Sequence, residues 1–336
     1  MKFALVGCGR VSRKHVEGLA STDAARLVAV CDVQPDRARE LARTLDVPWF
    51  TDMDHMLDSI PDIDVASILT PTGYHADHTL RAAAHHKHVV VEKPIALRVE
   101  DADAMIRACD RAGVKLIVAK PTRYNLPVQR LRAAVEAGRF GKLVMGTIRL
   151  RWCRRQDYYD RDGWRGKTAL DGGVLANQAS HYLDLLLWMM GPVRSVCAMT
   201  ATRLVDIESE DTAAAVLRFA NGALGIVEAT TATRPMDLEG SLSILGERGT
   251  VVVGGHAANE LVTWGFEDAL PEDPAGSARS GYPALFEDAV RHIHGDHVPV
   301  VDGLEARKSI ELIAAIHEAA RTGREIELSS RPPSTV

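Results

Sequence analysis

The chain has 336 residues, 46% of them hydrophobic and 25% charged, and a formal net charge of −5, which is an ordinary composition for a soluble globular protein. Single hydrophobic cores stop growing at roughly 250–300 residues, so two domains are expected. Neither half has a basic excess, which excludes the footprint of a nucleic-acid partner, and the five scattered cysteines, without a C-x-x-C pair, exclude a disulfide frame or a zinc knuckle. The first residues, MKFALVGCGR, run directly into a glycine turn without an apolar leader, and no apolar run is long enough for a bilayer. A cytoplasmic protein without membrane attachment is expected.

Residues 1–120 alternate apolar runs with amphipathic segments. KFALVG (2–7), RLVAVCD (26–32), DVASILT (64–70), HVVVEK (88–93) and VKLIVAK (114–120) read as buried strands, and 35–45, 74–86 and 99–112 have helical spacing. This alternation predicts an α/β domain with a parallel sheet covered on both faces. Directly after the first strand, Gly7-Cys8-Gly9-Arg10-Val11-Ser12 is a G-x-G-x-x-G turn with Ser12 in the third position. The first two glycines give a tight turn and let a pyrophosphate approach the backbone, where the following helix N-terminus favours its charge. Asp32 ends the second strand, 20 residues after Ser12, at the place of an acid that bonds the adenosine ribose. A carboxylate there repels a 2′-phosphate, so the expected cofactor of this Rossmann domain is NAD rather than NADP. Gly7, Gly9, Arg10, Val11 and Asp32 are the candidate binding residues.

The pattern changes from about residue 141. KLVMGTIRLRW (142–152), VRSVCAMTAT (193–202), DTAAAVLRFANGALGIVEATT (211–231) and GSLSILGERGTVVV (240–253) read as strands joined by turns such as Asn221-Gly222 and Glu247-Arg248-Gly249. An α+β domain over 121–328 with an antiparallel or mixed sheet is therefore expected, closed by helical segments at 282–294 and 303–322 and followed by a disordered tail, 329–336. Residues 149–167 hold seven Lys or Arg against three Asp. Arginine binds phosphate and carboxylate in bidentate fashion, and Tyr158 or Tyr159 can pack on a ring; a solvated sheet edge accounts for the same charges. In GGVLANQASHYLDLLLW (172–188) two glycines lead into a helix, beginning near Leu175, that is expected to place Asn177, His181, Asp184 and Trp188 on one stripe, opposite an apolar face of Leu175, Ala179, Tyr182, Leu186 and Met189. The histidines at 75, 78, 85, 86 and 88 have no acidic or cysteine partners in a ligand pattern, so no metal site is expected.

VVVEKPIAL (89–97), with TPTGYH (70–75), the glycine-led helix carrying H-x-x-D and the closing helical segment through Leu328, resembles the Gfo/Idh/MocA family of oxidoreductases over nearly the whole chain. The resemblance implies an NAD-binding Rossmann domain followed by a domain with an open-faced, mostly antiparallel sheet, through which relatives form dimers or tetramers. It places Thr70, Pro71, His75, Glu92 and Lys93 at the cofactor. The family lysine corresponds to Lys93 and the family histidine to His181, whereas Asn177 stands where many members have an aspartate. Asn-x-x-x-His together with Tyr158-Tyr159-Asp160 and Trp164-Arg165-Gly166 resembles a subfamily that oxidises C3 of UDP-linked 2-acetamido-2-deoxyglucuronate. That implies a UDP-sugar substrate met by Lys93, Arg154, Gln156, Tyr158, Tyr159, Arg165, Asn177 and His181.

Oxidising a secondary alcohol needs a base for the hydroxyl proton and a cation for the developing alkoxide. Histidine suits the proton step near neutral pH, and Lys93 suits the charge, or the base role if its pKa is lowered. The family analogy puts His181 as base, Lys93 as electrostatic anchor and Asn177 as an orienting amide. Asp184 either fixes the imidazole tautomer or is a polar residue facing the substrate. The alternatives are a dehydrogenase of free sugars or inositol, an NAD-assisted glycosidase and a non-catalytic NAD sensor.

Overall fold

The computed structural model describes residues 1–267, 281–295, 299 and 301–328. The expected tail, 329–336, lies outside the described residues. The chain divides into two compact units. One gathers Met1–Pro121 and the later chain up to Arg307, and the other starts at Thr122 and resumes at Lys308.

In the first unit β1 (Lys2–Val6), β2 (Arg26–Cys31), β3 (Trp49–Phe50), β4 (Val65–Ile68), β5 (His88–Glu92) and β6 (Leu116–Ala119) form a parallel sheet in the order β3-β2-β1-β4-β5-β6. Phe3–Val6, Val65–Ile68 and Leu116–Ala119 are buried at every position, because strands of consecutive apolar residues need cover on both faces. That cover comes from the helices α1 (Ser12–Ala20), α2 (Pro35–Leu45), α3 (Met53–Ser59), α4 (His75–Ala84) and α5 (Val99–Ala112). All five strands and three helices read from the sequence form. β3 and α3 escaped notice because one has two residues and the other seven. The strand order reverses between β1 and β4, and α/β sheets bind ligands beyond the carboxyl ends of the strands at such a switch point.

The second unit holds α6 (Leu126–Glu136), β7 (Leu143–Arg151), α7 (Gln156–Asp160), α8 (Gly173–Asn177), α9 (Ser180–Met190), β8 (Val193–Ala201), β9 (Thr212–Phe219), β10 (Leu224–Thr230), β11 (Glu239–Gly246), β12 (Gly249–Gly254) and β13 (Glu260–Phe266). Then come α10 (Tyr282–Ile293), α11 (Gly303–Thr322) and β14 (Ile326–Glu327). The eight strands form one sheet in the order β13-β12-β11-β7-β10-β9-β8-β14, antiparallel except where β7 meets β10. This is the mixed sheet that the turn signals predicted. One face receives α9: a Cβ on Gly146 would come within 2.7 Å of Leu186 and Met190, so the glycine permits the close approach. The opposite face presents Met199, Val216, Leu224 and Ile226 to solvent.

α10 belongs to the first unit. Its Phe286 meets Phe3 edge-on, with ring centroids 5.7 Å apart, and leaves no room for a side chain at position 18, where a Cβ would lie 2.6 Å from the ring. Among the described residues no helix is long and apolar enough to cross a membrane.

The helix expected from near Leu175 is broken in two, and its first piece, α8, starts at Gly173. Gly172 and Gly173 have φ of 77° and 81°, and a Cβ on Gly173 would collide with the Glu210 carboxylate at 2.3 Å. Glu210 Oε1 then accepts the Leu175 N–H at 3.1 Å at the start of α8. At the join, the Ala179 N–H reaches back five residues to the Val174 carbonyl at 2.8 Å. One extra residue in the turn rotates α9 about 100° relative to α8, and the predicted stripe does not survive it. Tyr182, Leu183, Asp184, Leu185 and Leu186 are all buried.

Candidate active site

In the first unit the glycine turn is shaped for a dinucleotide. Gly7 has φ of 105°, and a Cβ there would lie 2.9 Å from the Leu69 carbonyl, whereas the space a Cβ on Gly9 would enter is open. Ser12, only 2% exposed, bonds the Gly9 carbonyl at 2.7 Å and packs the helix against the sheet as a small residue must. α1 begins without a side-chain cap; the Ser12 and Lys14 N–H groups turn back to the Gly9 and Val11 carbonyls, and the helix dipole favours an anion at this end. Asp32 accepts the Cys8 N–H at 2.8 Å and the Gln34 N–H at 2.9 Å, so the acid is locked at the end of β2 before any ribose reaches it. Arg10 is exposed and Val11 partly so. An open glycine cradle and an uncapped helix start fit the pyrophosphate of NAD.

Thr70 and Pro71 are partly exposed at the end of β4. His75 and Glu92, placed at the cofactor by the resemblance, are both buried. His75 is 1% exposed, with Nδ1 2.9 Å from the Pro94 carbonyl oxygen and Nε2 2.9 Å from that of Thr70. Burial holds its pKa below the ordinary value. It ties the 70–75 loop to the turn after Lys93. Glu92 is 6% exposed and its carboxylate is committed to protein partners. Lys93, next in the chain, is partly exposed.

In the second unit His181 lies in the first turn of α9, partly exposed. Asn177 ends α8 and its amide donates to Asp171 Oδ1. Asp171 is itself buried and receives the Gly166 N–H on its other oxygen at 2.7 Å. The carboxylate missing at position 177 is thus present six residues upstream, bonded to the asparagine. Asp184 is held by partners the sequence did not point to. At 1% exposure it accepts from Arg123 Nε at 2.7 Å and Nη2 at 2.8 Å, and Ser309 Oγ lies 3.3 Å away. The Arg123 guanidinium sits 4.5 Å from the centre of the Trp188 ring. This is a buried ion pair under the helix and does not face a substrate.

The 149–167 segment resolves into layered rings and cations. Arg165 pairs with Asp162 at 2.9 Å, bonds the Tyr158 hydroxyl, and lies 4.4 Å from the centres of both the Tyr158 and Trp164 rings. Arg154 pairs with Asp237 at 2.9 Å and lies 5.1 Å from the Trp152 ring. His256 stacks on Trp152 at 4.4 Å. Gln156 bonds Asp160 at 2.9 Å and accepts the Asp206 N–H at 2.8 Å. Tyr159 points inward, 6% exposed, with its hydroxyl 2.9 Å from Thr231 Oγ1 and burial pushing its pKa up to about 12. Of the two tyrosines Tyr158 keeps a partly exposed ring. Arg151 is paired with Glu228 and Glu239, so acids from other strands offset much of the charge excess counted within the segment. Sequence reading missed Asp171, Arg123, Asp237 and His256. Asp171, directly before the glycine pair, is the one that carried a local signal.

Comparison with known proteins gives the same two parts. Residues 1–120 match the oxidoreductase family described as an NAD-binding Rossmann fold, and 128–252 match the GFO/IDH/MocA C-terminal domain. The myo-inositol 2-dehydrogenase of Thermotoga maritima is 31% identical over 235 residues, which is 68% of this chain and 68% of that one. Two WlbA dehydrogenases solved in complex with NADH and UDP-GlcNAcA are closer in sequence. The Bordetella pertussis enzyme is 40% identical, covers 98% of this chain and 99% of its own, and superposes with a TM-score of 0.90. The Chromobacterium violaceum enzyme is 39% identical, covers 98% and 96%, and has a TM-score of 0.94.

Proposed function

The chain belongs to the Gfo/Idh/MocA family and is an NAD-dependent sugar dehydrogenase, and from that premise we propose that it oxidises a secondary ring hydroxyl, at C3, of a UDP-linked 2-acetamido sugar or its uronate. The observation that carries this reading is the 39–40% identity, over 98% of the chain, to two dehydrogenases solved with NADH and UDP-GlcNAcA. The clustered Tyr158, Trp164 and Arg165 supply the ring faces and the cation that a nucleotide sugar uses.

Gly7, Gly9, the start of α1 and Asp32 hold NAD, which when bound supplies the hydride acceptor. His181 takes the hydroxyl proton, since a neutral imidazole is the side-chain base best matched to neutral pH. Lys93 stabilises the negative charge that develops on the substrate oxygen. Asn177, held by Asp171, presents its amide as an orienting group: it can bond a sugar hydroxyl or the imidazole and cannot take a proton. Arg154, Gln156 and Arg165 stand on the substrate side, Gln156 through the loop it holds and Tyr159 through the packing under Tyr158. The exposed face of the eight-stranded sheet pairs copies of the chain into a dimer or tetramer.

Thermal shift and turnover with UDP-N-acetylglucosamine, its uronate and myo-inositol, each with NAD, test the substrate. Stabilisation and NADH formation with a UDP-sugar are expected. A response to myo-inositol that equals or exceeds both would replace this reading with the inositol one, which the Thermotoga maritima relative favours.

A further inference from the structure

Glu92 ends β5, and its carboxylate is gripped from two helices of the first unit and by the N–H of the next residue. His15 on α1 places Nε2 2.8 Å from Oε1, the Tyr282 hydroxyl on α10 donates to the same oxygen at 2.8 Å, and Oε2 accepts the Lys93 N–H at 3.1 Å. His15 is fully buried, with Nδ1 2.9 Å from Ser67 Oγ on β4. The rings of Tyr282 and Phe286 close over it at 5.3 Å and 5.2 Å. A carboxylate this deep is costly unless it is paired and hydrogen-bonded, and a neutral amide of the same shape would meet the packing need. The fold instead keeps a charge here, one residue from Lys93.

We propose that Glu92 is the positioning residue of Lys93: clamped by His15 and Tyr282, it fixes the end of β5 and sets a permanent negative charge beside the lysine, so that Lys93 works as an ammonium. The proposal deepens the role given to Lys93 above and rests on it.

The charged and titratable groups around Glu92 agree with this. Burial alone would raise its carboxyl, but the hydrogen bond and charge of His15, then the charge of Lys93 and the Tyr282 bond, bring it down to about 2. Tyr282 is driven well above its ordinary value by burial, with the charge of Glu92 adding to the effect, so it stays a neutral donor. His75 on α4 feels the Glu92 charge as well. Interaction free energies are reciprocal, so a lysine that lowers the acid has its own proton held more tightly by it.

Competitive acylation of the cofactor-free protein, read at Lys93 by mass spectrometry across pH, measures the lysine directly and needs no substrate. In the wild type Lys93 is expected to be acylated no faster than the exposed lysines of the same chain across the pH range; labelling well above theirs at pH 8 overturns the proposal with no variant needed. In Glu92→Gln, which keeps the shape and loses the charge, the midpoint of Lys93 labelling is expected to fall by about one pH unit. That amounts to roughly a tenfold gain in labelling rate at pH 8. Tyr282→Phe, which keeps the charge, is expected to stay within about twofold of wild type. Equal labelling of Glu92→Gln and wild type, with melting unchanged, overturns the proposal. Turnover of Lys93→Ala separates the two claims. Near-wild-type turnover sinks the role given to Lys93 above, whereas the acylation result judges Glu92 alone.

Discussion

Position 181 and position 92 do different work, and their variants should fail differently. On the proposed assignment, His181→Asn removes the base and keeps a polar side chain of modest size. Turnover is expected to drop by about 10²–10⁴-fold, with NAD affinity, read by fluorescence titration, within about twofold of wild type. Glu92 adds a pH signature of its own. Its carboxyl is held at about 2 in the fold, below the ordinary value near 4.3. A depressed carboxyl stabilises the native state above its unfolded pKa, and that contribution is lost as the pH falls from about 4.3 towards 2. Urea unfolding of wild type should therefore weaken over that interval by on the order of 3 kcal/mol, and Glu92→Gln should lose that part of the slope. At position 32, two backbone N–H groups lock the carboxylate at the strand end. Asp32→Ser should cut the preference for NAD over NADP at least about tenfold in kcat/KM, because the repulsion of a 2′-phosphate goes with the charge.

At the scale of elements, the parallel sheet could be read from the chain because its strands are consecutive apolar runs at regular intervals. The glycine turn could be read because its chemistry is local. The break between α8 and α9 could not. It lies at residues 178–179, where the Ala179 N–H reaches back five residues to the Val174 carbonyl, whereas the glycine pair and Glu210 only set where α8 starts. Periodicity gives the angle at which a side chain leaves a helix and is silent about what stands opposite. Asp184 therefore read as a polar group near the substrate, while its partner is Arg123, 61 residues upstream and equally buried. The charge excess of 149–167 is smaller in the fold for the same reason, since Glu228 and Glu239 arrive from other strands and Asp237 from the loop before β11. The ion pair makes its own prediction. Asp184→Ala strands a buried guanidinium and should cost about 3–5 kcal/mol in urea unfolding. Replacing both partners, Arg123→Met with Asp184→Leu, should recover most of that loss, because two apolar groups remove the unpaired charge.

For the molecule as a whole, the eight-stranded sheet poses a problem of solvation. One face is buried by α9 and its neighbours. On the other, cross-strand pairing sets Cys197 beside Val216 and Val216 beside Ile226, and Met199 and Val216 are 80% and 55% exposed. A contiguous apolar surface on a sheet is what monomers avoid and interfaces use. Arg149 and Glu228 lie opposite each other on adjoining strands of the same sheet, which gives the face a polar border able to fix the register of a second copy. Light scattering after gel filtration should therefore find wild type as a dimer or tetramer at micromolar concentration. Val216→Glu combined with Ile226→Glu places two carboxylates where a dry contact is expected and should shift the protein to monomer. Far-UV circular dichroism should stay unchanged, since both side chains point to solvent within one copy. A wild-type protein that runs as a monomer would leave this face without its partner and overturn the assembly, while leaving the chemistry assigned to His181 and Lys93 to be judged by their own variants.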